Sequence, residues 1–335
     1  MIAQNSGGIR ETISDTAAVV LVLNAAPPQY HEASREGGMD MHGNLFYGCG
    51  TALVTPFRGN RVDFDALENL IDWQLDCGAD AIVVLGTTGE PATISESERS
   101  AIVECAAARC LHRAPLVVGT GSNDTRRAVT QSIEAQRLGA DALLVVTPYY
   151  NRASRAGLIG HFTAVADSVD IPVIMYNVPA RTGVNLDADT VAELAKHPNL
   201  CAVKEASGNL RQMMDLARAC AGGIAIYCGN DDQVPAAMAL GARGVISVAA
   251  NLIPGVMCEM VSDWLRGEPK KCLEAQLDWL PLIRRLFDEV SPIPVKAALA
   301  MMGKIENTLR LPLAPLDAEK EEQLRREMKR MGIVG

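Results

Sequence analysis

A lysine closes one of the apolar runs in this chain. Leu200-Cys201-Ala202-Val203-Lys204 is followed by the turn-like Glu205-Ala206-Ser207-Gly208. The run reads as a buried strand whose last side chain is an amine. A buried ammonium is costly unless paired, and desolvation favours the neutral amine. A neutral lysine amine attacks carbonyl carbon. The plain alternative is a lysine that caps a strand and reaches solvent. Other apolar runs also end in groups with chemistry. They are Gly86-Thr87-Thr88-Gly89-Glu90, Thr147-Pro148-Tyr149-Tyr150-Asn151, Tyr176-Asn177-Val178-Pro179-Ala180-Arg181-Thr182-Gly183, Gly229-Asn230-Asp231 and Gly244-Val245-Ile246-Ser247. A strand-end lysine, a carboxylate-gripping loop, hydroxyls that move protons and one arginine describe Schiff-base chemistry on a keto acid.

Each of these has a structural alternative. Gly-Thr-Thr-Gly reads as a plain turn, or as two flexible glycines that bring backbone N–H groups to a carboxylate. Of Tyr149 and Tyr150, one reads as rim packing. Tyr176 fits a core tyrosine, and Arg181 a solvated loop charge. Asn230 and Asp231 read as helix N-caps. Glu205 points away from Lys204, since strand neighbours alternate faces, and receives no role.

The elements that position these residues form a repeat. The apolar runs are 51–55, 81–85, 116–118, 142–146, 173–176, 200–204, 224–228 and 245–248. Each is followed by a turn and an amphipathic stretch, the size of a βα unit. The runs are apolar throughout rather than alternating, as in parallel strands covered on both faces. Phe64, Leu67, Leu70, Ile71 and Leu75 fall on one face of the first helix. Asn123-Asp124-Thr125 and Ser207 read as N-caps of the third and sixth helices. Gly78-Ala79-Asp80, Gly139-Ala140-Asp141 and Gly241-Ala242-Arg243 are helix stops at equivalent places. Eight such units predict an α/β fold, a (β/α)8 TIM barrel over 44–267, with a C-terminal helical extension over 268–335. A doubly wound sheet is the rival, but it wants a Gly-rich dinucleotide turn, and no G-x-G-x-x-G is present. In a barrel all the groups above lie at one end, the C-terminal ends of the strands.

Composition narrows the classes. The formal net charge of −9 argues against nucleic acid and against an anionic membrane surface. No apolar run reaches membrane-spanning length. The nine cysteines are scattered, without a C-x-x-C pair, and read as small core residues in a reducing compartment. The five histidines make no zinc pattern, so neither a metal nor a cofactor is expected. Residues 1–43 read as a poorly ordered extension, with Met39 or Met41 as alternative starts. The weakly apolar stretch 17–26 lacks the cationic start of a signal peptide.

The motifs GTTGE, TPYYN, YNVPARTG, VKEASGNL, GVISV, PIPVK and RLPL resemble those of the dihydrodipicolinate synthase (4-hydroxy-tetrahydrodipicolinate synthase) family of Schiff-base lyases, from about Leu45 to the C-terminus. The resemblance implies that Lys204 forms the Schiff base with pyruvate. Thr87, Tyr176 and Tyr150 then form a proton relay, Tyr150 reaching a neighbouring subunit's site. Thr88 holds the pyruvate carboxylate, with Gly86, Gly229 and the Ile246 backbone lining that site. Arg181 binds the carboxylate of aspartate semialdehyde. A cytoplasmic homotetramer, a dimer of dimers acting in lysine and diaminopimelate synthesis, is implied too. Two departures stand out. Lysine-inhibited members carry histidines and an acid where this chain has Glu96, Arg99 and Arg127, so lysine feedback is expected to be weak or absent. Asn230 stands where an aspartate is common. The same lysine, Tyr176 and Gly-Thr-Thr-Gly loop also suit an N-acetylneuraminate or keto-deoxy-sugar-acid aldolase, or a barrel that only binds a keto acid; Arg181 discriminates the acceptor.

Overall fold

The computed structural model describes residues 45–335 except Ala221. The extension expected over 1–43, with its alternative starts, lies outside the described residues. Eight parallel strands close into a barrel: β1 (Gly48–Ala52), β2 (Ala81–Val84), β3 (Leu116–Gly119), β4 (Ala142–Val146), β5 (Val173–Asn177), β6 (Leu200–Glu205), β7 (Ala225–Cys228) and β8 (Gly244–Ser247). Each strand pairs with its sequence neighbours, and β8 returns to β1 through Gly50↔Ile246 and Thr51↔Ser247. The following helices are α1 (Phe64–Asp76), α2 (Glu96–Cys110), α3 (Thr125–Arg137), α4 (Arg155–Ala166), α5 (Ala188–Leu194), α6 (Leu210–Cys220), α7 (Val234–Ala239) and α8 (Pro254–Leu265). Beyond them lie α9 (Pro269–Arg285), α10 (Ile293–Met301) and α11 (Ala318–Arg330). Among the described residues no helix is long and apolar enough to cross a membrane.

The repeat has a physical purpose beyond stopping helices. After α1, Gly78 turns back at φ 90° and Ala79 N–H reaches Gln74 O at 3.0 Å. After α3, Gly139 at φ 100° and Ala140 do the same. A left-handed glycine closes the helix without the Cβ clash other residues suffer. The aspartate that follows then holds the previous strand. Asp80 Oδ2 accepts from Cys49 N–H at 2.8 Å, and Asp141 Oδ2 accepts from Leu116 N–H at 2.7 Å. The helix stop and the strand register are thus set by one tripeptide.

Two buried clusters follow from strand alternation. The outward-facing set, including Val84, Val118, Val145, Met175 and Val203, packs on the helices. The inward set, including Ala52, Ala81, Val83, Ala142, Leu144, Ala202, Ala225, Tyr227 and Ile246, fills the barrel. Phe46, two residues before β1, stacks on Tyr227 with ring centroids 4.4 Å apart, and the Tyr227 hydroxyl donates to Phe46 O at 2.7 Å. That pair plugs the N-terminal end.

The first strand lies three residues earlier than the sequence suggests, at Gly48–Ala52 rather than 51–55. Glycine is a poor strand former, but here there is no room for a side chain. A Cβ on Gly48 would lie 1.9 Å from Asp80 Oδ2, and one on Gly50 2.8 Å from the Phe46 ring. Packing overrides propensity. Capping departs similarly. Within Asn123-Asp124-Thr125 it is Asp124 that caps α3, accepting from Arg126 N–H at 3.0 Å. At α6 the cap is Asn209, whose Oδ1 accepts from Arg211 N–H at 3.0 Å, while the expected Ser207 only braces Asn209.

Candidate active site

Lys204 is the penultimate residue of β6 and is 4% exposed. Its register partner on β5 is Tyr176, and Nζ lies 4.6 Å from the centre of that ring. Among the described residues no carboxylate forms an ion pair with Lys204. An aromatic face rather than a counter-ion therefore lies against the amine. A cation there gains a modest attraction, while the amine stays open to a carbonyl.

That register is locked from behind. Asn177 and Glu205, each next along its strand, pair across β5 and β6 on the outward face. Asn177 Nδ2 donates to Glu205 Oε2 at 2.9 Å, as does Gln212 Nε2 from α6. Glu205 Oε1 accepts from Ser207 N–H at 2.7 Å, and Asn177 Oδ1 from Leu186 N–H at 2.9 Å. Both side chains are buried. Glu205 points away from Lys204 as alternation requires, yet it is far from idle. It fixes the slide of β6 against β5 and so the placing of Lys204 against Tyr176. Sequence reading missed this; the signal was a buried acid directly after a buried lysine.

The Gly86–Gly89 loop follows β2. Thr87–Gly89 forms a single 3-10 turn, with Gly89 N–H spent on Gly86 O at 2.9 Å and Glu90 N–H on Thr87 O at 3.2 Å. Thr87 and Thr88 are left as the donors the loop can offer. Thr88 is buried and Thr87 half-buried. The turn is bracketed by two non-glycine residues in the left-handed region, Leu85 at φ 56° and Glu90 at φ 55°. Such residues persist only where the surroundings hold them.

Ile246, on β8, is fully buried in the inward cluster. Gly229, just after β7, donates its N–H to Glu205 O at 2.7 Å. A Cβ there would meet Ala206 Cβ at 2.5 Å, so the close approach of the two strand ends requires glycine. Asn230 and Asp231 do not cap α7, whose first turn has no side-chain cap. Asp231 instead reaches across to β8, where Oδ2 accepts from Val248 N–H at 3.0 Å and Ala249 N–H at 2.8 Å. Burial raises its carboxyl above the usual range, against the pull of those hydrogen bonds and of Lys204.

Two expected residues stand apart. Arg181 sits in the one-turn helix Pro179–Thr182 after β5, exposed, with Nη2 donating to Ser291 O at 3.3 Å. Tyr150 is 89% exposed at φ 73° and is not brought to Lys204 within this chain. On the flank, Arg99 is buried, and Nη1 donates to Gly119 O at 2.8 Å. Burial, then the nearby Arg127 guanidinium, lowers its pKa to about 10. Among the described residues no three of His, Cys, Asp and Glu converge on a metal-sized centre.

Comparison with known proteins gives relatives over most of the chain. The model of the dihydrodipicolinate synthetase family matches residues 45–331. A 4-hydroxy-tetrahydrodipicolinate synthase of Alkaliphilus oremlandii is 47% identical over 290 residues, covering 87% of this chain and 100% of the relative. One from Caldicellulosiruptor bescii is 47% identical over 291 residues, 87% of this chain and 98% of the relative. The crystal structure of a dihydrodipicolinate synthase from Thermotoga maritima matches with a TM-score of 0.85 at 38% identity, covering 87% of this chain and 100% of that one.

Proposed function

The chain belongs to the dihydrodipicolinate synthetase family, and on that premise we propose how its residues divide the work of the family reaction. That reaction, a lyase step of lysine and diaminopimelate biosynthesis, condenses pyruvate with L-aspartate 4-semialdehyde to give 4-hydroxy-tetrahydrodipicolinate. The observation that carries the assignment is Lys204: buried at the open end of β6, without an ion-pair partner, against Tyr176. Its Nζ attacks the ketone carbon of pyruvate, and loss of water leaves an iminium. The iminium draws electrons from the adjacent methyl, which gives up a proton and becomes an enamine. The enamine carbon attacks the aldehyde, whose oxygen takes a proton. The amine of the semialdehyde part then attacks the former ketone carbon, closes the ring and releases Lys204.

Tyr176 and Thr87 carry the protons. Thr88 and the Gly86 loop hold the pyruvate carboxylate, with Gly229 and the Ile246 backbone lining the same site. Arg181 binds the carboxylate of the semialdehyde. Tyr150 completes the relay from a neighbouring subunit, which fits its exposure and its positive φ. A homotetramer, a dimer of dimers in the cytoplasm, follows as part of this reading. The test is borohydride reduction with pyruvate followed by mass spectrometry: a stable adduct on Lys204 is expected, and none forms in Lys204→Ala. An adduct on another lysine, or none, would refute the nucleophile. A coupled assay then decides the acceptor. Turnover of sugar-acid aldehydes in preference to aspartate semialdehyde would refute the role given to Arg181.

A further inference from the structure

GTTGE meets two motifs from more than 200 residues further along the chain at one buried point. Lys296, the last residue of PIPVK on α10, is 0% exposed, and its Nζ lies 2.6 Å from Oε1 of Glu90, the last residue of GTTGE. Arg310, the first residue of RLPL, gives its backbone N–H to Glu90 Oε2 at 3.3 Å. Its guanidinium spans Glu98 Oε1 and Oε2 at 2.5 and 2.9 Å, Thr93 O at 2.8 Å and Asn60 O at 2.8 Å. Lys296 Nζ and the Arg310 guanidinium both lie over the Phe57 ring, 4.1 and 4.3 Å from its centre. A buried ion pair contributes little net stability, because desolvation offsets attraction. What it contributes here is a fixed position. Glu90 ends the turn that carries Thr87 and Thr88, on left-handed backbone at φ 55°. That conformation is unfavourable for a residue with a side chain and needs outside restraint. Thr55 Oγ1, donating to Gly89 O at 2.8 Å, ties the same end.

We propose that Glu90, Lys296 and Arg310 are positioning residues that hold the Thr87–Thr88 turn in its keto-acid-gripping shape, so that the C-terminal helices set the affinity for pyruvate. This rests on the reading of that turn as the carboxylate grip. None of the three touches substrate; they act through the turn. Without the Lys296 tie, the turn relaxes from its left-handed exit and the threonine donors move off the carboxylate. Binding of pyruvate weakens, while proton transfer at Tyr176 and capture of the second substrate near Arg181 do not.

The experiment compares Lys296→Met with Glu90→Gln/Lys296→Met in the full-length enzyme. Lys296→Met is expected to raise KM for pyruvate about tenfold, the loss of one charge-assisted hydrogen bond to a carboxylate. The expected kcat stays within about threefold and the KM for aspartate semialdehyde within about twofold. The single variant strands a buried carboxylate, and the double variant removes that burden. In the double variant Tm recovers and KM for pyruvate stays high. Recovery of KM together with Tm would show a purely structural pair and overturn the proposal. Thr88→Ala separates the two readings. If it raises KM for pyruvate while the Lys296 variants do not, only the positioning role falls. If it leaves KM unchanged, the grip and the positioning role fall together.

Discussion

Replacing Tyr176 by Phe removes one oxygen and leaves the rest of the site in place. The ring is buried, and its centre lies 4.6 Å from Lys204 Nζ. A phenyl face offers that nitrogen much the same attraction, and the Asn177–Glu205 lock behind it is untouched. Stability is therefore expected to change by less than about 1 kcal/mol. Chemistry is another matter. Loss of a positioned proton carrier costs about 10²–10⁴-fold in rate, or about 3–5 kcal/mol of barrier. The coupled assay with pyruvate and aspartate semialdehyde reads kcat. Borohydride trapping with pyruvate alone reads Schiff-base formation, which also needs a proton delivered to the departing water. Both are expected to fall together, with Tm unchanged. A variant with kcat within about fivefold of wild type and normal trapping would refute the relay, since no lesser role for that hydroxyl is consistent with the mechanism.

Lysine at millimolar concentration is expected to leave the initial rate nearly unchanged, because the positions compared with lysine-inhibited members hold Glu96, Arg99 and Arg127, and Arg127 lies close enough to Arg99 to lower its pKa and would repel an ammonium group; inhibition by more than half at that concentration would sink the expectation. Glu205→Ala leaves Ser207 N–H, Asn177 and Gln212 without their acceptor, and is expected to cost about 3–5 kcal/mol in denaturant unfolding, with kcat reduced as the β5–β6 register loosens. A loss below about 1 kcal/mol would show that the network is dispensable. Burial raises the Asp80 carboxyl from 3.8 to about 6, against the pull of Cys49 N–H. The folded state thus holds this proton more tightly than the unfolded one, so stability is greatest below the unfolded pKa and declines as pH rises towards 6. Asp80→Asn keeps an acceptor for Cys49 N–H and carries no charge. Its Tm, relative to wild type, is expected to rise between pH 4 and pH 6.5, and a constant difference across that range would contradict the burial argument.

Much of the molecule is legible in the chain alone. Eight apolar runs at βα spacing, with glycine stops recurring in Gly-Ala-Asp, determine a parallel sheet with helical crossovers, because strands covered on both faces must be apolar throughout and each crossover needs a helix, and the count of eight without a dinucleotide turn favours closure into a barrel. Once the barrel is given, the strand-end groups fall at one end, and Lys204 and Tyr176 become neighbours by register. What the chain could not show are contacts made by packing between distant segments. Gly48 and Gly50 form a strand because Asp80 and Phe46 leave no space for Cβ atoms, which no local propensity reports. Asp231 looks like the cap of its own helix but caps the backbone after β8, and Glu205 looks idle but locks a register. Glu90 is more than 200 residues from Lys296 and Arg310, yet the three share one buried point. Periodicity and turn chemistry are local and survive in sequence. A buried polar group must find its partner wherever the fold brings one, and only the closed barrel decides which partner that is.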